Sequence, residues 1–305
     1  MIRLAVETTP RTGARASCAA GPGRRNRPGL ADRLRRDNPA AALAALLWLA
    51  IVIVPIYVMI NASFQSQSSA LGGDLLVPTT HPTLQNYKLA FQNGFMHLLF
   101  NTVVVTVATI VLVLGLSVPL AFAIVRARGR HSSLLVFRIF LLGLAIPAPV
   151  ILVPLYVMVS KMGLYDTLWA IILPTVAFAM PVTLLVLVGT MRDISEELYE
   201  AMALEGATPA RMLFKLVIPL SRGGISTVAV FSGLSAWNGL LFPLILTQSP
   251  QNEVLTTGLW SLSSEYGVDI PAMLAALTLA GIPMLVLYLA ARRALISSVV
   301  GFGGR

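Results

Sequence analysis

The chain has 305 residues, 56% of them hydrophobic and 11% charged; a soluble domain carries roughly 25% charged residues, so this is a membrane composition. Its 22 Lys and Arg against 13 Asp and Glu would raise nucleic acid as a partner in a soluble protein, but their placement argues otherwise. A single cysteine, Cys18, excludes a disulfide framework, and His81, His97 and His131 make no metal-ligand spacing. No Gly-x-x-x-x-Gly-Lys-Ser/Thr run is present to cradle a nucleotide phosphate.

Residues 1 to 38 hold nine arginines among Gly, Pro and Ala, without apolar periodicity. This reads as a flexible cytoplasmic tail, residues 1–39, held near anionic headgroups. A transit peptide is the alternative, opposed by Glu7, Asp32 and Asp37 and by the long apolar segment downstream. Six apolar blocks follow, at about Ala40–Ile60, Leu98–Val125, Leu134–Val157, Thr167–Leu187, Ser226–Leu246 and Met273–Ala291. Each is long enough for a helix to cross a hydrocarbon core, which takes roughly 20 residues. The first is too long for the apolar region of a cleaved signal peptide and reads as a retained anchor. The expected fold class is therefore an all-α integral membrane protein with six transmembrane helices over residues 40–305, its core at about 97–293.

With the N-terminus inside, 20 of the 22 Lys and Arg fall on cytoplasmic segments, and only Lys88 and Lys161 fall outside. The positive-inside rule then predicts an N-in, C-in topology. External segments carry Asp74, Asp166, Glu253, Glu265 and Asp269, so the basicity belongs to one membrane face.

The long external loop holds Asn61-Ala62-Ser63-Phe64 and Pro82-Thr83-Leu84-Gln85-Asn86-Tyr87. Gly115, Ser117 and Ala121 would allow close helix contact in the second block. Pro147, Pro149 and Pro154 are expected to kink the third, and Pro174 and Pro181 to interrupt the fourth. Gly163-Leu164-Tyr165-Asp166-Thr167 forms an external turn between them. Trp237 and Asn238 sit in the fifth block, where a buried amide must face another helix or a pathway. Apart from Arg138 near an end, the blocks contain no ionisable residue. That absence speaks against a proton or ion relay, and no nucleophile, acid–base pair or cofactor motif points to an enzyme.

The segment 193–222, a long polar stretch between the fourth and fifth blocks, reads as helix, turn, helix. Asp193 or Ser195 can serve as N-cap, with Glu196 and Glu197 in the first turn. Gly206 is the stop residue, Thr208-Pro209 restarts a helix, and Pro219 is expected to close it.

The run Glu200-Ala201-Met202, then Gly206, then Ile218-Pro219-Leu220 resembles the cytoplasmic EAA loop of ABC importer permeases, with Met202 where the signature has a second alanine. The Asn86-Tyr87, Leu164–Thr167 and Trp237-Asn238 stretches resemble carbohydrate permeases of the maltose type, in particular its second permease. The resemblance implies a type I ABC importer permease fold in the cytoplasmic membrane, without a cofactor of its own. It implies a heterodimer with a second permease, a separate ATP-binding cassette ATPase dimer and an extracytoplasmic solute-binding protein. It places Glu197, Glu200, Ala201, Met202, Gly206, Ile218 and Pro219 in a coupling helix that docks on the ATPase. Trp237 and Asn238 become candidate pathway residues, and the cargo a sugar or oligosaccharide. The alternatives are the same machine for a polyamine-like solute, or a secondary transporter acting alone.

Overall fold

The computed structural model describes residues 39–72, 75–127, 129–259 and 269–302. The arginine-rich segment 1–38 and the last residues, 303–305, lie outside them. Among the described residues every regular element is helical. In chain order these are α1 Pro39–Ser63, α2 Gln67–Gly72, α3 Gln85–Gln92, α4 Phe95–Arg126, α5 His131–Leu142 and α6 Ala148–Lys161. There follow α7 Leu168–Arg192, α8 Glu196–Leu204, α9 Pro209–Leu220, α10 Arg222–Trp237, α11 Leu241–Leu246 and α12 Ile270–Phe302. Contacts divide the chain into two units at Val54 and Pro55, and the packing described below belongs to the second.

Helices α1, α4 and α7 are each long and apolar enough to cross a membrane, and the bent pairs α5–α6 and α9–α10 raise the candidates to five. The third block is broken by 106° between α5 and α6. Its cause is local. Gly143–Ala145 tighten into a 3-10 turn, and Ile146, which precedes Pro147, is driven to φ −93°, ψ 110° by the clash that bars the α region before proline. Pro149 then sits harmlessly in the first turn of α6, and Pro154 lies inside α6 without ending it. Pro174 and Pro181 do not interrupt the fourth helix either: both are buried within a continuous α7, where neighbouring helices can cover the freed backbone groups. The fifth block is not one span but two pieces, because the chain leaves helix geometry between Trp237 and Leu241.

The core lies along α4 and α7, with α10 packed on both. Val113, Leu184, Leu187, Val188 and Met191 are buried there. Lipid tails are as apolar as leucine, so van der Waals fit and small residues at contacts hold such helices together. Gly224 of α10 meets this condition: a Cβ there would lie 2.5 Å from the Thr190 Oγ1 of α7. Ser117 and Ala121 are likewise fully buried, whereas Gly115 has nothing within 4 Å of an added Cβ and is no contact point within this chain.

At one end of this bundle polar side chains tie the loops together. Asn61 Nδ2 donates to the Leu75 and Val77 carbonyls at 2.9 and 2.8 Å, and Asn86 Nδ2 donates to those of Ser63 and Gln65, each at 2.8 Å. The Phe64 and Tyr87 rings lie 5.2 Å apart. These two loop motifs therefore staple each other. Asn101 of α4 reaches the Gln251 and Glu253 carbonyls at 2.9 and 2.8 Å, and Leu255 N–H donates to Thr102 Oγ1 at 2.8 Å. The starts of α4 and α7 both adjoin the segment 248–255, so these helices run parallel and their far ends share the opposite face.

Asp166, at φ 56°, fixes the start of α7. Its Oδ1 accepts the Gln248 and Ser249 N–H groups at 2.9 and 3.0 Å, and its Oδ2 accepts the Ser249 hydroxyl. The Ser249 hydroxyl foremost, then the two amides, hold the Asp166 carboxyl down to about 2 from 3.8. A carboxylate with a depressed folded pKa contributes stability above its unfolded value and loses it as the pH falls through the folded one. Asp166→Asn cannot accept the Ser249 hydroxyl through its amide nitrogen. Thermal unfolding in detergent should show the wild type more stable than this variant, by a margin that is constant above about pH 5 and shrinks between about pH 4 and pH 2. A margin that grows on acidification would contradict this role.

Candidate functional site

At the opposite end, the segment 193–222 folds as a short helix, a left-handed turn and a second helix. Ser195 is the N-cap of α8, at φ −61° and ψ 142°, but its side chain makes no capping bond. Glu196 and Glu197 in the first turn supply the negative charge favoured at a helix start.

One side chain anchors α8 to the bundle. Tyr199 is 3% exposed, the one buried residue of a helix otherwise open to its surroundings. Its ring stacks on Phe122 of α4 with centroids 6.4 Å apart. The Arg126 guanidinium carbon lies 5.0 Å from the ring centroid, a cation–π distance. The Arg126 Nη1 also lies 3.7 Å from Glu196 Oε1. Burial raises the pKa of the Tyr199 phenol, opposed by Arg126 and reinforced by Glu196. Its hydroxyl has no hydrogen-bond partner, so the anchor works through ring contacts. Ile194, Met202 and Ala207, partly buried, pack against the same core.

The turn after α8 is a Schellman motif. Glu205 is the C-cap, Gly206 N–H donates to the Ala203 carbonyl at 3.0 Å, and Ala207 N–H to that of Met202 at 3.0 Å. Gly206 stands at φ +73° with nothing within 4 Å of an added Cβ. The demand on it is thus backbone conformation rather than space. Thr208 immediately caps α9: its Oγ1 accepts the Arg211 N–H at 3.3 Å, and Pro209 fills the first turn, where no N–H is needed.

Helix α9 inserts Met212, Leu213 and Val217 into the core. Over Leu213–Val217 its ladder widens to π spacing, with Ile218 N–H on the Leu213 carbonyl. Pro219, lacking an N–H, leaves the Lys215 carbonyl without its usual donor, which favours this slip. Pro219 does not close the helix as expected. It is exposed, one residue inside an end at Leu220, and the chain then turns by 80° into α10.

Glu197, Glu200, Ala201 and Leu204 are exposed, and their three- and four-residue spacing puts them on one stripe of α8. Met202 and Ile218 instead pack partly inward. Sequence reading alone missed two residues. Tyr199 could have been found as the lone aromatic on the face opposite that stripe. Leu204, 90% exposed at the tip, carried no signal, since a leucine in a helix reads as core.

Trp237 and Asn238 sit together at the end of α10. Asn238 is not a buried amide within a span; it is the exposed C-cap of α10, and its Nδ2 donates to the Leu234 carbonyl of its own helix at 2.9 Å. The Asn238-Gly239 pair, a turn dipeptide, is what breaks the expected fifth helix. Both residues line a cavity of about 670 Å³ shared with Thr256, Met273, Leu277 and Met284. Thr256 closes one side by donating to the Gly239 carbonyl at 2.8 Å. Among the described residues no three His, Cys, Asp or Glu side chains gather as a metal site.

Tyr199→Phe should leave thermal stability unchanged or slightly raised, because it removes a buried hydroxyl without a partner. Tyr199→Ala should cost about 3 kcal/mol and open the segment 193–207 to protease. Unfolding curves and limited proteolysis of the two variants check this; equal behaviour of both would remove Tyr199 as the anchor.

Residues 114–299 match the family described as the binding-protein-dependent transport system inner membrane component. An inferred ABC transporter permease protein of Caldicellulosiruptor sp. (strain Rt8B.4) is 37% identical over 80% of this chain and 88% of its own length. The diacetylchitobiose uptake system permease protein of Streptomyces coelicolor is 32% identical over 87% of this chain and 88% of its own. The crystal structure of a bacterial ABC transporter involved in the import of the acidic polysaccharide alginate has a chain that superposes with a TM-score of 0.74 at 18% identity, over 88% of this chain and 99% of that one. The fold is therefore shared with an importer subunit, and this chain, a multi-pass membrane protein, belongs to the family of inner membrane components of binding-protein-dependent transport systems.

Proposed function

We propose that this chain is the permease subunit of an ATP-driven importer that passes a sugar or oligosaccharide across the cytoplasmic membrane. The cargo is handed over by an extracytoplasmic binding protein. The observation that carries the reading is the rigid knob of α8 and its turn. It is anchored to α4 by Tyr199, closed by Gly206, and presents Glu197, Glu200, Ala201 and Leu204 outward. Such a knob suits a cleft on a separate ATPase subunit, and no nucleotide-binding motif exists in this chain to hydrolyse ATP itself.

In this reading six helices cross the membrane with both termini inside. The arginine distribution supports it, as does the placement of Arg126 and Arg192 at the α8 end and Asp166 at the other. A second permease completes the path, and two ATPase subunits close on ATP. Movement of the docked α8 then reaches α4 through Tyr199 and α10 through the 80° turn after α9.

The path on this side runs past Trp237 and Asn238, on the wall of the 670 Å³ cavity. An aromatic face and an amide suit a sugar, whose C–H faces and hydroxyls need one of each. Among the described residues no charged side chain lines that cavity, which favours a neutral solute over a polyamine. The names of relatives agree, among them an arabinooligosaccharides transport system permease protein.

Gly206→Pro, or a bulky residue such as Trp at Ala201, should abolish substrate uptake while the protein is inserted in normal amount. Uptake of labelled oligosaccharide by cells carrying each variant, with membrane content checked by immunoblot, measures this. Transport at the wild-type rate would remove 193–222 as the coupling loop.

A further inference from the structure

A small cavity of about 180 Å³ opens where the ends of α4 and α7 meet the start of α5, on the same face as α8. Its wall includes Gly129, Arg130, His131, Leu134, Phe137 and Arg192. We infer that this cavity is a binding site for the phosphate of an anionic phospholipid from the cytoplasmic leaflet, held by Arg130 and Arg192.

The charge balance is the first argument. Among the described residues the one ion pair joins Arg126 to Glu196, outside the cavity. Arg130 and Arg192 therefore bring two positive charges to its wall without a carboxylate paired to either. The second is orientation. The Arg192 guanidinium lies over the Phe137 ring, 5.7 Å from its centroid, and Phe137 is itself buried in the wall. That contact holds the guanidinium at the wall, where a planar fork can offer two N–H groups to a phosphate. Gly129, at φ +89°, makes the turn that brings Arg130 to the wall.

The third argument selects a lipid over a soluble anion or an acidic protein segment. From Leu134, which lines the cavity, exposed apolar residues continue along α5 through Leu135, Ile139 and Leu142, all between 43% and 68% exposed, with Arg138 exposed among them, where its long stem can lift the charge to the headgroup level. A headgroup in the cavity would lay its acyl chains on that surface, matching charge with charge and hydrocarbon with hydrocarbon. Basic pockets between helices on the cytoplasmic side take anionic headgroups for this reason. The inference rests on the membrane placement of α5 and not on the identity of the transported solute.

The test uses the full chain, released from detergent in native mass spectrometry and titrated with phosphatidylglycerol or phosphatidylcholine. Wild type should bind phosphatidylglycerol in preference. Arg130→Gln and Arg192→Gln should each weaken that binding about fivefold, and the double variant about 25-fold. Arg222→Gln, at the start of α10 and outside the cavity wall, should leave it unchanged. The single variants carry the test if the double variant does not purify. Equal binding of both lipids, or undiminished phosphatidylglycerol binding by the arginine variants, would overturn the inference. Displacement of the lipid by millimolar inorganic phosphate would assign the cavity to a soluble anion instead. Loss of a co-purifying ATPase in these variants, with lipid preference intact, would assign it to protein contact and likewise overturn it.

Discussion

The aromatic contact between Tyr199 and Phe122, with Arg126 over the tyrosine ring, is what makes α8 part of the membrane body. A nine-residue helix has little stability of its own. Its position is set by one buried ring and by the half-buried Ile194, Met202 and Ala207. Everything else on α8 faces outward. The Schellman turn at Gly206 and the Thr208 cap then pass the chain to α9 without a flexible residue in between. Displacement of the exposed stripe must therefore move α4 and α9 together, since no loose joint lies between them.

The two ends of the bundle are built differently, and the difference follows from charge. At the Asp166 end, neutral amides, hydroxyls and one carboxylate satisfy backbone groups over long sequence separations. They tie the last residues of α1 to α3, and the starts of α4 and α7 to the segment 248–255. At the α8 end, two arginines lie over aromatic rings, so charge there adds to apolar packing and does not satisfy backbone groups.

Much of this was legible in the residues. Composition made the chain a membrane protein, and Gly206 and Thr208-Pro209 announced the turn between α8 and α9. What was misread has identifiable causes. Counting apolar residues ran straight through Asn238-Gly239 and turned a helix end into a buried amide. Proline alone did not tell a break from a tolerated kink: Pro147 breaks the chain because it forces Ile146 out of the helical region after the 3-10 turn, while Pro174 and Pro181 are buried within a continuous α7, Pro181 close against Gly143. The anchor Tyr199 was hidden inside an acidic run whose outward residues drew attention, and the exposure of Leu204 depends on tertiary placement that no local pattern encodes.

The central claim is that the tip of α8 seats in a separate ATPase. A photoreactive amino acid placed at Leu204, and as control at the inward Met202, should be illuminated in native membranes and the products sequenced. The account predicts covalent capture of a subunit carrying a Gly-x-x-x-x-Gly-Lys-Ser/Thr peptide from Leu204 and none from Met202. Uptake retained with no such product from Leu204, or equal capture from both positions, would contradict it.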